Sequence, residues 1–262
     1  MSIHLGQRKL LLIEVYYLIN NSHLSKNIIY IGAAPGDHIS YLSELFPQNA
    51  FYLFDPRPFS IKQTNKIIIK QELFSTKSIK YLNNDYLIIS DIRSNINNKM
   101  TQHEIDLIIT NDMRLQESWI KELNPKSALL KFSLPKDSQS MPTFTYLGGQ
   151  LLNQPWAPLN TFESRLIWNH QEDYQYNIFD YKNFMDKNKF LRSSLITKHN
   201  ISLKRTHGLD YCYDCNEEIN IWKKYLNYHQ KDFSNTDIIN IINRTSIKTK
   251  KFLTKRPHGL IK

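Results

Sequence analysis

Apolar positions along the first two thirds of the chain fall into two alternating patterns, one helical and one of short unbroken runs. From Gln7 to Asn20 the apolar residues Leu10, Leu11, Ile13, Val15, Tyr17 and Leu18 are mixed with polar ones, which predicts an amphipathic helix. Asn27-Ile28-Ile29-Tyr30-Ile31-Gly32 is a β-branched run that ends at glycine and predicts a buried strand. A turn follows at Gly32-Ala33-Ala34-Pro35-Gly36-Asp37, then a helix from His38 to Phe46 with Asp37 as its N-cap. Further strands are predicted at Ala50–Asp55, Ile67–Ile69, Tyr86–Asp91 and Ser127–Phe132, with a helix over Gln102–Leu123 before the last of these. Tyr146–Leu152 and Arg165–Trp168 are additional strand candidates. The runs at 28–31, 86–89 and 127–130 are apolar without alternation, as expected of central strands covered on both faces. Strands alternating with helices imply an α/β fold with a mainly parallel central sheet flanked by helices.

After about residue 172 the chain becomes rich in Asn, Lys, Asp and Tyr, and helices are predicted near 181–192, 216–228 and 235–243. This divides the chain into a larger α/β domain, 1–200, and a helical C-terminal extension packed on it, 201–262, with a basic tail from Lys248 to Arg256. Such a tail is either solvated surface or a contact for RNA phosphates. Lys and Arg number 34 against 24 Asp and Glu, a formal charge of +10. That balance suits a polyanionic partner, nucleic acid first, although Lys- and Asn-rich chains also arise from AT-biased coding. The two cysteines, Cys212 and Cys215, make no disulfide framework and point to a reducing compartment. With His207 nearby they resemble half a zinc site. The reading taken is two reduced thiols opening a helix that packs through Ile219, Trp222 and Tyr225, with no metal. Leu10-Leu11-Leu12-Ile13 is interrupted by Glu14, too short to span a membrane and without a signal-peptide pattern, so a soluble cytoplasmic chain is expected.

The turn after the first strand carries the first chemical signal. Gly32 permits a sharp turn and close ligand approach. Asp55, at the end of the next strand, follows Gly36 by 19 residues (55 − 36). That is near the spacing of about 20 at which an acid reaches ribose hydroxyls. The turn lacks the third glycine of a dinucleotide site and the Gly-Lys-Ser/Thr of a phosphate loop, which disfavours nucleotide hydrolysis. Gly-x-x-x-Gly after a strand also occurs as a plain structural turn; Asp55 favours the nucleoside-binding reading.

Several dispersed segments together resemble one family. They are Gly6-Gln7-Arg8-Lys9-Leu10-Leu11-Leu12, Tyr30-Ile31-Gly32-Ala33-Ala34-Pro35-Gly36-Asp37-His38, Ile89-Ser90-Asp91-Ile92-Arg93-Ser94, Leu130-Lys131-Phe132, Gln154-Pro155-Trp156-Ala157-Pro158 and Glu163-Ser164-Arg165. In this order they are similar to the poxvirus-type cap-specific mRNA 2′-O-methyltransferases, which double as regulatory subunits of the viral poly(A) polymerase. The resemblance covers roughly residues 6–168. It implies a Rossmann-like methyltransferase fold, S-adenosylmethionine as cofactor, capped mRNA as substrate and a poly(A) polymerase catalytic subunit as a further partner.

The resemblance also implies a catalytic Lys9–Asp91–Lys131–Glu163 tetrad. Lys131 is the expected general base, Lys9 supplies the neighbouring positive charge, and Asp91 and Glu163 fix geometry. Taken singly, each has a bland counterpart in a surface ion pair or a turn. By resemblance Gln7, Tyr30, Gly32, Gly36, His38, Asp55 and Arg57 line the cofactor site, Asp91 closes it and Phe74 lies near the adenine; Pro56 stands where the family has glycine. Arg93, Asp137 and Arg165 fall on RNA- or cap-contacting positions, with structural ion pairs the equal alternative for the two arginines. The aromatic that the family places after the lysine of Lys131 has no counterpart here. A non-catalytic RNA-binding or polyadenylation-stimulating subunit, or a 2′-O-methyltransferase acting on uncapped RNA, are the competing functions.

Overall fold

The computed structural model describes residues 6–136, 143–158, 161, 163–170, 173–194, 209, 211–229, 232–250 and 253. Helix α1 (Gly6–Asn21) is followed by β1 (Asn27–Ile31), α2 (Ile39–Leu45), β2 (Ala50–Phe54), β3 (Ile67–Lys70), a 3₁₀ turn (Thr76–Leu82) and β4 (Leu87–Ser90). Then come α3 (Gln102–Leu123), β5 (Ser127–Ser133), β6 (Thr143–Leu147), β7 (Gln150–Leu152), β8 (Glu163–Asn169), β9 (Tyr176–Asp180), α4 (Tyr181–Ser194), α5 (Tyr213–His229) and α6 (Asn235–Thr249). The main sheet has the order β3-β2-β1-β4-β5-β8-β7. Strands β1 to β5 pair in parallel, and β8 runs antiparallel between β5 and β7. The order reverses direction between β1 and β4, the switch point at which open α/β sheets take their ligands.

Alternation along the strands divides the core between two faces. Ile28 and Tyr30 of β1, with Leu87 and Ile89 of β4, face the side covered by α1, α2, α5 and α6. Ile29 and Ile31, with Ile88 and Leu130, face the side closed by α3 and the β6–β9 ribbon. Helix α3 is capped at Thr101, whose side chain accepts from the Glu104 N–H while Glu104 reaches back, a full capping box.

Several expectations shift. Helix α1 is not amphipathic in use: Arg8, Leu11, Leu12, Ile13, Glu14, Val15, Tyr17, Leu18 and Asn21 are buried around its circumference. Helices α5 and α6 cover the side that a lone surface helix gives to water. Asp37 is not the cap of α2. His38 holds that position without a side-chain bond, and the Asp37 carboxylate instead accepts from Ser60 Oγ. The strand expected over Tyr146–Leu152 is two strands in different sheets, split at Gly148-Gly149. At Gly149 an added Cβ would lie 2.3 Å from the Ile167 carbonyl oxygen, so the backbone passes where no side chain fits. Strand β9 escaped the sequence reading because its residues are largely exposed and carry no apolar alternation. The expected boundary near residue 200 lies outside the described residues, as do His207 and most of the basic tail. Among the described residues, no helix is long and apolar enough to cross a membrane.

Candidate active site

Two strand ends at the switch point form the floor. Gly32 follows β1 with φ +78°, and its N–H donates to the Phe54 carbonyl at 2.8 Å. A Cβ on Gly32 would lie 2.9 Å from the Asp91 carbonyl carbon and from the Ile92 nitrogen. Only glycine suits both the backbone angle and the contact. Gly32→Ala is expected to destabilise the fold by at least about 1–2 kcal/mol, roughly 2–8 °C in Tm, for the left-handed backbone alone. A thermal melt with an unchanged midpoint would show that the turn relaxes.

Next to this turn opens a cavity of about 650 Å³ lined by Gly32, Asp55, Arg57, Phe74, Ile92 and Trp119 among others. Asp55 is fastened at its mouth. Its carboxylate accepts from the Ala34 N–H at 3.1 Å, the Arg57 N–H at 2.9 Å, and Arg57 Nε and Nη2 at 2.9 and 2.7 Å. Burial pushes the Asp55 carboxyl up, but these hydrogen bonds outweigh it and hold it below the usual carboxylate range. Phe74 stacks edge-on between Phe54 and Trp119, with ring centroids 5.1 Å apart on each side.

Of the other residues expected around a cofactor, the half-buried Gln7 and the buried Tyr30 and His38 form a network behind the turn. Glu14, 1% exposed, accepts from Tyr30 Oη at 2.6 Å and faces His38 Nε2 at 2.9 Å. His38 Nδ1 lies 2.7 Å from Gln7 Oε1. Gly36 closes the turn with φ +82°. Sequence reasoning missed Glu14 as part of this region. Its signal was present: a lone acid in the apolar run of α1 must find partners if it is buried.

At the other side of the switch point, four elements bring their charges together. Lys9 Nζ on α1 donates to Glu163 Oε1 at 2.7 Å. Lys131 Nζ on β5 lies 3.0 Å from Asp91 Oδ1 and 3.6 Å from Glu163 Oε2. Arg165, one residue past Ser164 on β8, is 2% exposed and joins both acids, 2.5 Å from Asp91 Oδ1 and 3.4 Å from Glu163 Oε1. Arg165 therefore lies inside the cluster as an ion-pair partner rather than at a surface open to RNA. Arg93 lines the cavity and lies 3.4 Å from Asp112. Asp137 lies outside the described residues.

The electrostatics follow from the count: Lys9, Lys131 and Arg165 face two carboxylates. Guanidinium stays charged, so the cluster is neutral when one lysine amine has lost its proton. Burial lowers the Lys9 amine below its ordinary value, with Arg165 adding to the shift and Glu163 and Asp91 opposing it. Burial pushes the Asp91 and Glu163 carboxyls up, but Lys131 and Arg165 hold both below the usual range, Glu163 far below. No group of His, Cys, Asp and Glu among the described residues is arranged to hold a metal ion.

A Rossmann-like α/β protein with a glycine-walled cavity and a buried charge cluster at its switch point is thus defined. The chain belongs to the poly A polymerase regulatory subunit family, whose profile matches residues 2–251. It is 32% identical over 179 residues to the cap-specific mRNA (nucleoside-2′-O-)-methyltransferase of Fowlpox virus (strain NVSL), covering 62% of this chain and 57% of that one. It is 30% identical over 182 residues to the enzyme of the same name from Myxoma virus (strain Lausanne), covering 63% and 52%. The chain thus spans little more than half the length of these relatives. Among solved structures, bluetongue virus VP4, described as a multifunctional RNA-capping production line, superposes with a TM-score of 0.55 at 16% identity. That likeness, over 67% of this chain and 30% of VP4, concerns the fold.

Proposed function

We propose that the chain is an S-adenosylmethionine-dependent methyltransferase that modifies the ribose 2′-hydroxyl next to the 7-methylguanosine cap of mRNA, in a viral setting. The observation that carries this reading is the meeting of Lys9, Asp91, Lys131 and Glu163, from four separate elements, beside a cavity with an acid-tipped second strand. The cavity fits the cofactor on three counts. Its volume is within the range of about 300–1,000 Å³ usual for ligand sites. Phe74 and Trp119 line it and offer apolar ring faces for a base. Asp55 would take the cofactor's ribose hydroxyls once the exposed Arg57 side chain swings from it.

Bound there, S-adenosylmethionine supplies an electrophilic methyl carbon. The chain's own residues act on the RNA side. Lys131, between Asp91 and Glu163, accepts the hydroxyl proton as the oxygen attacks, which requires its amine to be neutral at that moment. Arg165 keeps the count at one cation too many for two carboxylates, and so favours release of one lysine proton. Asp91 and Glu163 orient both amines. Arg93, which lines the cavity, is the candidate contact for RNA phosphate, and the resemblance makes Asp137 the candidate for the cap. The formal charge of +10 suits this substrate, and two free cysteines suit the reducing cytoplasm.

Labelled methyl transfer to matched RNAs with and without a 7-methylguanosine cap tests the reading. Transfer only to the capped RNA is expected. Equal transfer to both would assign an uncapped RNA substrate. RNA binding with no transfer would favour the polymerase-partner role that the family's description suggests, and which is proposed here as a second activity of the same chain.

A further inference from the structure

A second buried charge network lies behind the first, and the two share a helix and a loop. Arg8, the neighbour of Lys9 on α1, is 0% exposed, as is Glu218 on α5. Arg8 Nε donates to Glu218 Oε2 at 2.9 Å, Nη2 donates to Oε1, and Nη1 donates to Ser246 Oγ on α6 at 2.7 Å. Glu218 also accepts from the indole N–H of Trp156 at 2.6 Å and that of Trp222 at 3.3 Å. Trp156 sits in a left-handed backbone conformation, φ 64°, and its backbone N–H donates to Asp214 Oδ1 at 2.9 Å. Two residues before it, Gln154 Nε2 donates to Glu163 Oε1 at 3.2 Å, the same oxygen that accepts from Lys9 at 2.7 Å.

We propose that Glu218 is a positioning residue for the methyl-transfer site: through Arg8 it sets the rotation of α1 and hence Lys9, and through Trp156 it sets the Gln154 segment, so that both arms converge on Glu163. This rests on the function proposed above. Consecutive helical residues are fixed relative to each other, so clamping Arg8 fixes the direction of Lys9. A turn of about 10° moves an atom at the helix's outer radius of roughly 5–6 Å by about 1 Å. A displacement of that size at reacting groups is enough to cost about 10²-fold in rate. Among the described residues the Glu218 carboxylate accepts from Arg8, Trp156 and Trp222 at once, so one buried group ties α1, α5 and the Trp156 segment together. The C-terminal helices are, on this view, part of the catalytic unit and not an accessory.

The test compares the wild-type full chain with Glu218→Gln, which keeps shape but loses charge, and with the paired change Arg8→Met/Glu218→Leu. The pair removes both charges of the Arg8–Glu218 ion pair together, and a thermal melt shows whether it folds although the indole N–H groups of Trp156 and Trp222 lose their acceptor. Steady-state methyl transfer, calorimetric affinity for S-adenosylmethionine and the pH profile of kcat are measured on each. The expected result is a roughly 10- to 100-fold fall in kcat with cofactor affinity within about 2-fold of wild type. The pH profile of kcat should also shift, because a displaced Lys9 leaves the burial that lowers its amine and no longer helps to hold the Glu163 carboxyl low. Unchanged kcat in the folded pair overturns the role. So does a parallel loss of kcat, cofactor affinity and thermal stability, which marks a merely structural network. A wild type that binds the cofactor yet methylates no RNA instead overturns the proposed function, and this role with it.

Discussion

Lys131→Ala should lower methyl transfer by about 10²–10⁴-fold while cofactor affinity stays within a few-fold, the range over which a positioned general base contributes. The lysine sits on β5, every residue of which is buried, and its amine is 3.0 Å from Asp91. An alanine there leaves the cavity lining intact, because Lys131 is not among the residues that form it. The loss should therefore fall on kcat rather than on cofactor binding. The companion variant Lys9→Ala separates the two amines. Among the described residues Lys9 pairs with Glu163 alone, whereas Lys131 faces both acids, so removal of Lys9 should cost less than removal of Lys131. If Lys9→Ala proves the more damaging of the two, the base is Lys9, the lysine whose amine burial already holds below its ordinary value.

Arg165→Met is expected to destabilise the folded chain by about 3 kcal/mol, at the lower end for breaking a buried pair, which corresponds to roughly 6–12 °C in Tm. The lower end applies because Asp91 and Glu163 keep Lys131 and Lys9 as partners after the guanidinium is gone. A thermal melt and an RNA-affinity measurement on the same variant distinguish two readings. A lowered midpoint with unchanged RNA affinity is the outcome for a group buried inside the cluster. Weakened RNA affinity with an unchanged midpoint would return Arg165 to the RNA surface that the resemblance implies. Arg165→Lys should recover little, since a single ammonium replaces the two nitrogens with which Arg165 meets Asp91 through Nη2 and Glu163 through Nη1.

The alternation of α and β elements, the central strands β1, β4 and β5, and the glycine turn with Asp55 were legible because each depends on local pattern alone: unbroken apolar runs, a residue without Cβ, an acid at a strand end. Lys9, Asp91, Lys131 and Glu163 were legible only as a set of dispersed motifs. Nothing within any one segment shows that a helix at residue 9 and a strand at residue 163 will meet within 2.7 Å. Where the local signal was a mixture, the tertiary structure decided. Polar and apolar positions in α1 read as one wet and one dry face, yet α5 and α6 bury Arg8 against Glu218 and Ser246, and β1 and the start of α2 bury Glu14 against Tyr30 and His38. Arg165 shows the same limit. An arginine on a strand is equally suited to a phosphate and to a carboxylate, and the two acids brought beside it from β4 and its own strand settle its partner. The sequence by itself determined which elements form and which residue types stand at the strand ends, because hydrophobic period and turn chemistry are properties of neighbours in the chain. Which charges are buried together, and so which amine is under pressure to lose its proton, only the packed structure decided. Coulomb and desolvation energies depend on distance and dielectric, and neither exists until distant segments meet.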